Sequence, residues 1–168
     1  MNIFILDKDP IKAAQMLCDK HIVKMPTESM QMICTNLKEM GWEKTLPMKS
    51  VMLNHRCTKW ARKSKENLIW LINHCEELCK EYTKRYNRIH KIEQYLKELI
   101  DGGLIGFIEN QEYEEKKLTD FALAMPDIYQ SKNVVESYRE YYLKEKSYFA
   151  KWKSPSSPPS WWVLPMKG

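Results

Sequence analysis

The segment from Cys18 to Glu28 places a histidine, a lysine and a carboxylate at helical spacings beside an otherwise apolar surface. At about 100° per residue, a helix over 13–40 carries His21, Lys24 and Glu28 along one edge of a broad apolar arc. Such an edge is partly desolvated and holds charges close together, which suits acid–base or nucleophilic chemistry. A structural hydrogen-bond network at the rim of the core would produce the same pattern, so both interpretations stand at this stage.

Amines are the candidate nucleophiles. An α-amine has an ordinary pKa of about 8, so a useful fraction is neutral near pH 7, whereas a lysine side chain with a pKa of about 10.4 is almost wholly protonated. Two amines are therefore considered, that of Met1 and that of Lys24, which lies one turn from both His21 and Glu28.

Basic residues elsewhere predict contacts with phosphates. Asn54, His55 and Arg56 precede a predicted long helix, whose free backbone amides attract anions, and Arg62 and Lys63 add charge. A capping asparagine followed by a solvated basic surface is the alternative. The full set of predicted substrate-binding residues is Lys20, Gln31, Asn54, His55, Arg56, Arg62, Lys63, Arg85, His90 and Lys91.

The sequence favours neither a metal site nor a cofactor. Cys18 and His21 could present two ligands on one helical face, and so could Cys75 and Cys79, but no further spacing completes a set of zinc ligands. The buried-hydrophobe interpretation of these cysteines is preferred. Glycine-rich phosphate loops and the serine-hydrolase motif are also missing, so we predict no metal and no cofactor.

Composition sets the class of protein. The 168 residues, 43% of them hydrophobic, are enough for one well-packed domain. An odd number of cysteines favours a reducing compartment, and the apolar start 3–6 is too short for a signal sequence or a membrane span. We expect a cytoplasmic protein that does not enter a membrane. A net charge of +5 favours DNA or a nucleotide as partner, and the oligomeric state is left open.

Periodicity predicts a mainly α fold, a single-domain helical bundle. A short N-terminal strand is expected over 2–6, and Asp9-Pro10 should begin a helix. The next helix should kink or restart at Pro26 and end at Gly41. Further helices are expected over 57–90, 91–100, 118–125 and 133–153. We place the helical domain at 1–153. Residues 154–168 form an extended proline-rich arm that docks on it through Trp161 or Trp162, because exposed indoles are costly.

The chain resembles two families. Over its full length it is similar to small uncharacterised proteins of phages and large DNA viruses, which share the Cys18-Asp19-Lys20-His21 block, Asn54-His55 and the terminal tryptophans. Locally, Asp19-Lys20-His21-Ile22 with Glu28 resembles the pyrimidine-dimer DNA glycosylases of the endonuclease V type. That resemblance implies a small α-helical enzyme that flips a base and cuts its glycosidic bond, with an α-amine exposed by methionine removal as nucleophile.

This chain departs from that pattern at two positions. Asn2 is bulkier than the residue that usually permits removal of the initiator methionine, and Thr27 stands where a DNA-gripping arginine would be.

We therefore predict a viral, DNA-acting base-excision glycosylase. The sequence does not decide whether it also has lyase activity. Glu28 would stabilise the sugar cation or shuttle protons, His21 would position or protonate, and the amine of Met1 or Lys24 would attack C1′. The alternatives are a non-enzymatic nucleic-acid-binding protein and a nucleotide-binding anti-defence protein.

Overall fold

The protein is described by a computed structural model over residues 1–164. Within that range the chain folds into seven α-helices and one short 3₁₀ helix, with no β-strand. The helices are α1 (Pro10–Met16), α2 (Asp19–Glu39), α3 (Arg56–Lys63), α4 (Lys65–Tyr86), α5 (Lys91–Asp101), α6 (Leu104–Glu109) and α7 (Val134–Glu145), and the 3₁₀ helix is Asp127–Tyr129. The mainly α prediction is confirmed.

The two longest helices, α2 and α4, pack against each other and form the centre of the fold. Asp9 begins α1 as predicted, because its carboxylate accepts from the backbone N–H of Ile11 at 2.8 Å. The chain then breaks at residues 17–18, so α1 and α2 are separate helices and not one. Contrary to prediction, α2 continues through the buried Pro26, and the packing of its apolar face outweighs the lost backbone hydrogen bond.

The predicted N-terminal strand is wrong. Residues 3–6 are buried in the core, but their backbone groups bond to side chains and not to a neighbouring strand. Asn2 Oδ1 accepts from the N–H groups of Ile3 and Phe4, and Arg139 Nε donates to the carbonyl of Leu6 at 2.9 Å. Phe4 has φ of +60°, which no strand residue adopts. The run of apolar residues therefore predicts burial correctly but not strand structure.

The predicted helix over 118–125 is also wrong, because side chains from three helices form hydrogen bonds with the backbone of this segment. Asn67 accepts from the N–H of Thr119, Arg56 donates to the carbonyl of Leu123, and Tyr138 bonds both Ala122 and Ala124. The long helix predicted over 57–90 is divided at Ser64, whose hydroxyl caps α4. The last helix ends at Glu145, eight residues earlier than expected from 133–153, and α6 was not predicted.

Residues 154–164 are not a straight extended arm, because turns occur at 154–155 and at 160–161. The hydroxyl of Ser156 bonds the carboxylate of Glu81 on α4. Trp162 packs against Tyr142 and Trp152, and Trp161 Nε1 lies 3.4 Å from the sulfur of Met16. The segment therefore folds back over α1 and α7. The last part of the predicted arm, 165–168, lies outside the described residues.

Candidate active site

An open cavity of about 630 Å³ lies between the N-terminal segment, α2, the start of α3 and the chain around the 3₁₀ helix. It brings together seven residues predicted from the sequence: Met1, His21, Lys24, Glu28, Asn54, His55 and Arg56.

Glu28 lines this cavity with 15% of its side chain exposed. Its Oε2 accepts a hydrogen bond from the backbone nitrogen of Asn2 at 3.2 Å, and its Oε1 lies 3.7 Å from Nζ of Lys24. A single carboxylate thus faces two nitrogens, one at the start of the chain and one on its own helix. Asn2 is held there because its side-chain amide donates to the carbonyl of Ala124 at 2.7 Å.

His21 is two helical turns before Glu28 and is buried against aromatic rings. Phe4 stacks on the imidazole with centroids 4.5 Å apart, and Phe149 contacts it edge-on at 5.5 Å. Burial and, to a lesser extent, the ammonium groups of Lys146, Lys24 and Lys20 together lower the pKa of His21 to about 3. The ring is therefore neutral near pH 7.

His55 caps α3 and also faces the cavity. Its Nδ1 accepts from the N–H of Cys57 at 3.1 Å, which leaves Nε2 as the free ring nitrogen. Burial lowers the pKa of His55, and the positive charge of the Met1 amine contributes in the same direction. The charge of the Met1 amine thus acts on His55, and the nitrogen of the next residue, Asn2, contacts Glu28.

The sequence missed the far wall of the cavity, which comes from the second half of the chain. It consists of Ala124, Met125, Asp127, Tyr141 and Lys146. Lys146 also lies over the ring of Tyr141 at 5.1 Å. The only sequence signal was the alternation of lysines with aromatic residues after residue 138, and nothing in that pattern pointed to Lys146 above its neighbours.

A wider groove of about 790 Å³ adjoins the cavity and shares Arg56 with it. Arg62 and Lys63 line this groove together with Lys59, Trp60 and Phe121. Arg62 also holds the fold, because its Nη1 donates to the carbonyl of Leu53 at 2.7 Å.

Two predicted binding residues are excluded by their surroundings. The side chain of Arg85 is 0% exposed and lies between the carboxylates of Asp19 and Glu81, at 3.1 and 3.0 Å. His90 has both ring nitrogens occupied, since Nδ1 accepts from Ile92 and Nε2 bonds the carbonyl of Val23. The sequence predicts both as substrate contacts, but in the structure each side chain joins elements of the core.

Three further predicted residues lie away from the cavity and the groove. Lys20 is exposed and lies over the ring of Phe149 at 4.6 Å. Gln31 is half-buried further along α2, and Lys91 is exposed at the start of α5. Among residues 1–164 no group of three or more His, Cys, Asp or Glu side chains is arranged to hold a metal ion. Likewise, no helix in the described range is long and apolar enough to cross a membrane.

The comparisons with known proteins agree with the local resemblance at this site. Searches of curated proteins and of solved structures find no match. The family model described as pyrimidine dimer DNA glycosylase matches residues 1–94, more than half of the 168 residues, and this range contains the Asn2–Glu28 contact and His21. The chain therefore belongs to the pyrimidine dimer DNA glycosylase family.

Proposed function

We propose that this protein cuts the glycosidic bond of a pyrimidine dimer in DNA, with the cavity around Glu28 as its active site. The observation that carries the proposal is the 3.2 Å contact between the backbone nitrogen of Asn2 and Glu28 Oε2. If Met1 is removed, that same nitrogen becomes a free α-amine beside a carboxylate. The family uses such an amine as nucleophile, so membership and geometry support the same assignment.

The chemistry proceeds by covalent catalysis. The lone pair of the amine forms a bond to C1′ of the sugar, while the bond from C1′ to the base breaks and its electron pair leaves with the base. Glu28 accepts the proton that the amine loses and stabilises the positive charge that develops on the sugar. Opening of the sugar ring then produces an imine between enzyme and DNA, and β-elimination from that imine would supply lyase activity.

Two other amines compete for the role of nucleophile. The Met1 amine is the candidate when the methionine is retained, and it lies close enough to lower the pKa of His55. Lys24 Nζ lies 3.7 Å from Glu28, but 64% of its side chain is exposed. We favour an α-amine over Lys24 because the nitrogen of Asn2 contacts Glu28 Oε2 directly, whereas the side chain of Lys24 is mostly exposed.

Cations around the cavity are proposed to bind the DNA backbone. Arg56 and Lys146 line the cavity itself, and Lys59 and Lys63 continue the positive charge along the groove. His21 is assigned a positioning role and not that of a proton donor, because a histidine with a pKa of about 3 carries no proton to give near pH 7. Asn54 and His55 complete the rim of the cavity.

The setting of the activity is part of the same proposal. The full-length similarity to proteins of phages and large DNA viruses supports a viral source, and a repair substrate supports a site of action on DNA inside the host cell. We keep the cytoplasm as the proposed location, or the nucleus where the viral DNA lies there.

Borohydride trapping tests the proposal. The protein is incubated with duplexes that carry a pyrimidine dimer or an abasic site, and reduction should convert the imine to a stable adduct. The mass of the adduct identifies Asn2, Met1 or Lys24 as the attachment point, and a Lys24→Met variant should still be trapped. Binding of the duplex without trapping or base release would favour a DNA-binding protein, and salt-independent binding of a mononucleotide would favour a nucleotide-sequestering one.

A further inference from the structure

A buried hydrogen-bond cluster holds the imidazole of His21 from behind. The hydroxyl of Tyr142 on α7 lies 2.7 Å from His21 Nδ1 and 3.1 Å from the sulfur of Cys18, and it accepts from the backbone N–H of Cys18 at 3.0 Å. Tyr142 and Cys18 are both 0% exposed. Because water does not reach this cluster, the protein alone decides where its protons lie.

The phenol has one proton to donate, which allows two arrangements. Either it donates to Nδ1 of His21, which places the ring proton on Nε2, or it donates to the sulfur of Cys18 and accepts from a protonated Nδ1. A neutral imidazole nitrogen is a much better acceptor than a thiol sulfur, and the contact to Nδ1 is the shorter one. The first arrangement is therefore favoured.

The other side of the ring faces the cavity. His21 lines it, and among the described residues the ring bonds a protein group through Nδ1 alone. Phe4 and Phe149 confine the ring on a face and an edge, which prevents the imidazole from turning to exchange its two nitrogens.

We propose that Tyr142 is a positioning residue that holds His21 as the Nε2–H tautomer, so that a neutral hydrogen-bond donor points at the bound nucleotide. The acceptor would be a phosphate or sugar oxygen, for which a neutral N–H is a fitting partner. The inference deepens the proposed glycosylase function and rests on it for the identity of the ligand, but the tautomer itself can be measured without DNA.

Nitrogen-15 NMR of the histidine side chains tests the tautomer in the free protein. The wild type should show His21 with a bare Nδ1 and a protonated Nε2, and Tyr142→Phe should shift it towards a mixture. Cys18→Ala separates the two arrangements: the tautomer should persist if Nδ1 is the acceptor and should change if the sulfur is. A wild-type ring protonated on Nδ1, or an unchanged tautomer in Tyr142→Phe, would overturn the proposal.

Tyr138→Phe is the matched control. Tyr138 lies one turn earlier on α7, is equally buried, and bonds Ala122 and Ala124 without touching His21. It should lose similar stability and leave the His21 tautomer unchanged. With a dimer-containing duplex, Tyr142→Phe should lower kcat by about tenfold at nearly constant KM, in line with the cost of losing a partner that orients a histidine. If the wild type releases no base while the tautomer result holds, the proposed function fails and the positioning role stands.

A different feature concerns the rim of the cavity. Ile128 is 83% exposed at the centre of the 3₁₀ helix, next to Asp127, which lines the cavity. The turn is well anchored: Gln130 Nε2 donates to the carbonyl of Met125 at 3.0 Å, and Tyr129 packs on Tyr141 with ring centroids 5.4 Å apart. An apolar side chain is thus held in solvent on a braced turn.

Single exposed apolar residues are ordinary, but this one adjoins a cavity whose walls carry Arg56 and Lys146. A cationic surface of this kind complements the DNA backbone, and apolar side chains that enter between base steps are a general device for unstacking a duplex. We infer that Ile128 is a wedge that enters the base stack when the lesion is drawn into the cavity. This inference also rests on the proposed function.

The test measures base unstacking with 2-aminopurine placed beside the dimer. Wild-type protein should raise its fluorescence, Ile128→Ala should abolish most of the rise and lower kcat/KM about tenfold, and Ile128→Leu should restore both. Ile89→Ala is the control, because Ile89 is 72% exposed and lines no described cavity. Equal behaviour of Ile128→Ala and Ile89→Ala in a protein that does release the base would refute the wedge without touching the proposed function.

Discussion

At the scale of single residues, the proposed base release depends on the carboxylate of Glu28. Its carboxylate is mostly buried, it faces the nitrogen of Asn2 and the ammonium of Lys24, and it lies in the same cavity as His21. The cationic side chains of Lys24, Arg56 and Lys146 line the same cavity. A carboxylate so placed serves a reaction in which positive charge develops on the substrate.

Replacement of Glu28 by glutamine should therefore separate catalysis from binding. Glu28→Gln keeps the shape and an oxygen acceptor for the Asn2 nitrogen but removes the charge and the proton acceptor. We expect base release to fall by about 10² to 10⁴-fold, with the affinity for the duplex nearly unchanged. Glu39→Gln, an exposed carboxylate at the end of the same helix, should behave as wild type. Equal losses in both variants would contradict the role of Glu28.

Two buried histidines predict how stability depends on pH. Burial lowers the pKa of His21 to about 3 and that of His74 to about 4, from an ordinary 6.5. The unfolded chain thus takes up protons on these rings before the folded chain does, so stability falls as the pH drops below 6.5. Each ring should contribute about 1.4 kcal/mol per pH unit between pH 6.5 and 4.

Urea unfolding at several pH values in this range measures how steeply the free energy of unfolding changes with pH. His74→Gln should remove the contribution of His74 to that slope. An unchanged slope in His74→Gln would show that its pKa is not lowered by burial.

At the level of elements, α3 joins the cavity to the adjoining groove. His55 caps this helix in the cavity, Arg56 borders both spaces, and Lys59 and Lys63 face the groove. The irregular segment 118–125 forms the opposite wall and is bonded to α3 through Arg56. A short basic helix with a loop across from it makes a channel that suits a nucleic-acid backbone.

Phosphate binding by α3 predicts a specific salt dependence. Lys59→Ala should weaken binding to all duplexes alike and reduce the slope of log affinity against log salt by about one unit. Lys38→Ala, an exposed lysine near the end of α2, should leave the slope unchanged. Titrations at several salt concentrations measure both, and equal slopes for the two variants would mean that Lys59 faces only solvent.

Arg62 should respond differently from Lys59, although both line the groove. Because its guanidinium bonds the carbonyl of Leu53 and the side chain of Asn36, Arg62→Ala leaves buried acceptors unsatisfied. We expect a loss of about 1–3 kcal/mol in the free energy of unfolding. Chemical denaturation measures it, and wild-type stability with weakened DNA binding would restore the purely phosphate-binding interpretation.

At the level of the whole molecule, the cavity needs both halves of the chain. The family match ends at residue 94, yet Ala124, Asp127, Tyr141 and Lys146 form the far wall. The C-terminal tryptophans pack against the helix that carries this wall: Trp162 contacts Tyr142, and Arg139 lies over the ring of Trp161 at 5.1 Å. The end of the chain is thus linked to the cavity through α7.

Removal of one indole should therefore destabilise the protein. Trp162→Ala gives up the half-buried ring, and we expect a loss of about 2 kcal/mol and a fall in Tm of about 4–8 °C. Val163→Ala, in the same segment with 71% of the residue exposed, should change Tm very little. Thermal unfolding compares the two, and matching Tm values would show that the tryptophan contributes no packing energy.

The sequence alone determined the helical class and placed His21, Lys24 and Glu28 on one side of a single helix, where all three line the same cavity. The start of α1 and the end of α2 were equally local, since a capping aspartate and a glycine with φ of +95° act within one turn. The periodicity of apolar residues predicts one helix at a time and does not show which other element packs against it. Whether a basic residue binds substrate or joins helices depends on what faces it, as the buried Arg85 demonstrates.

The irregular segments and the long-range contacts of the cavity were decided only by the tertiary structure. Segments 2–6 and 118–125 lack strand and helix because side chains distant in sequence satisfy their backbone groups. The Asn2–Glu28 contact spans 26 residues, and the Tyr142–His21 contact spans 121. These contacts depend on how the helices pack, so no local sequence pattern predicts them.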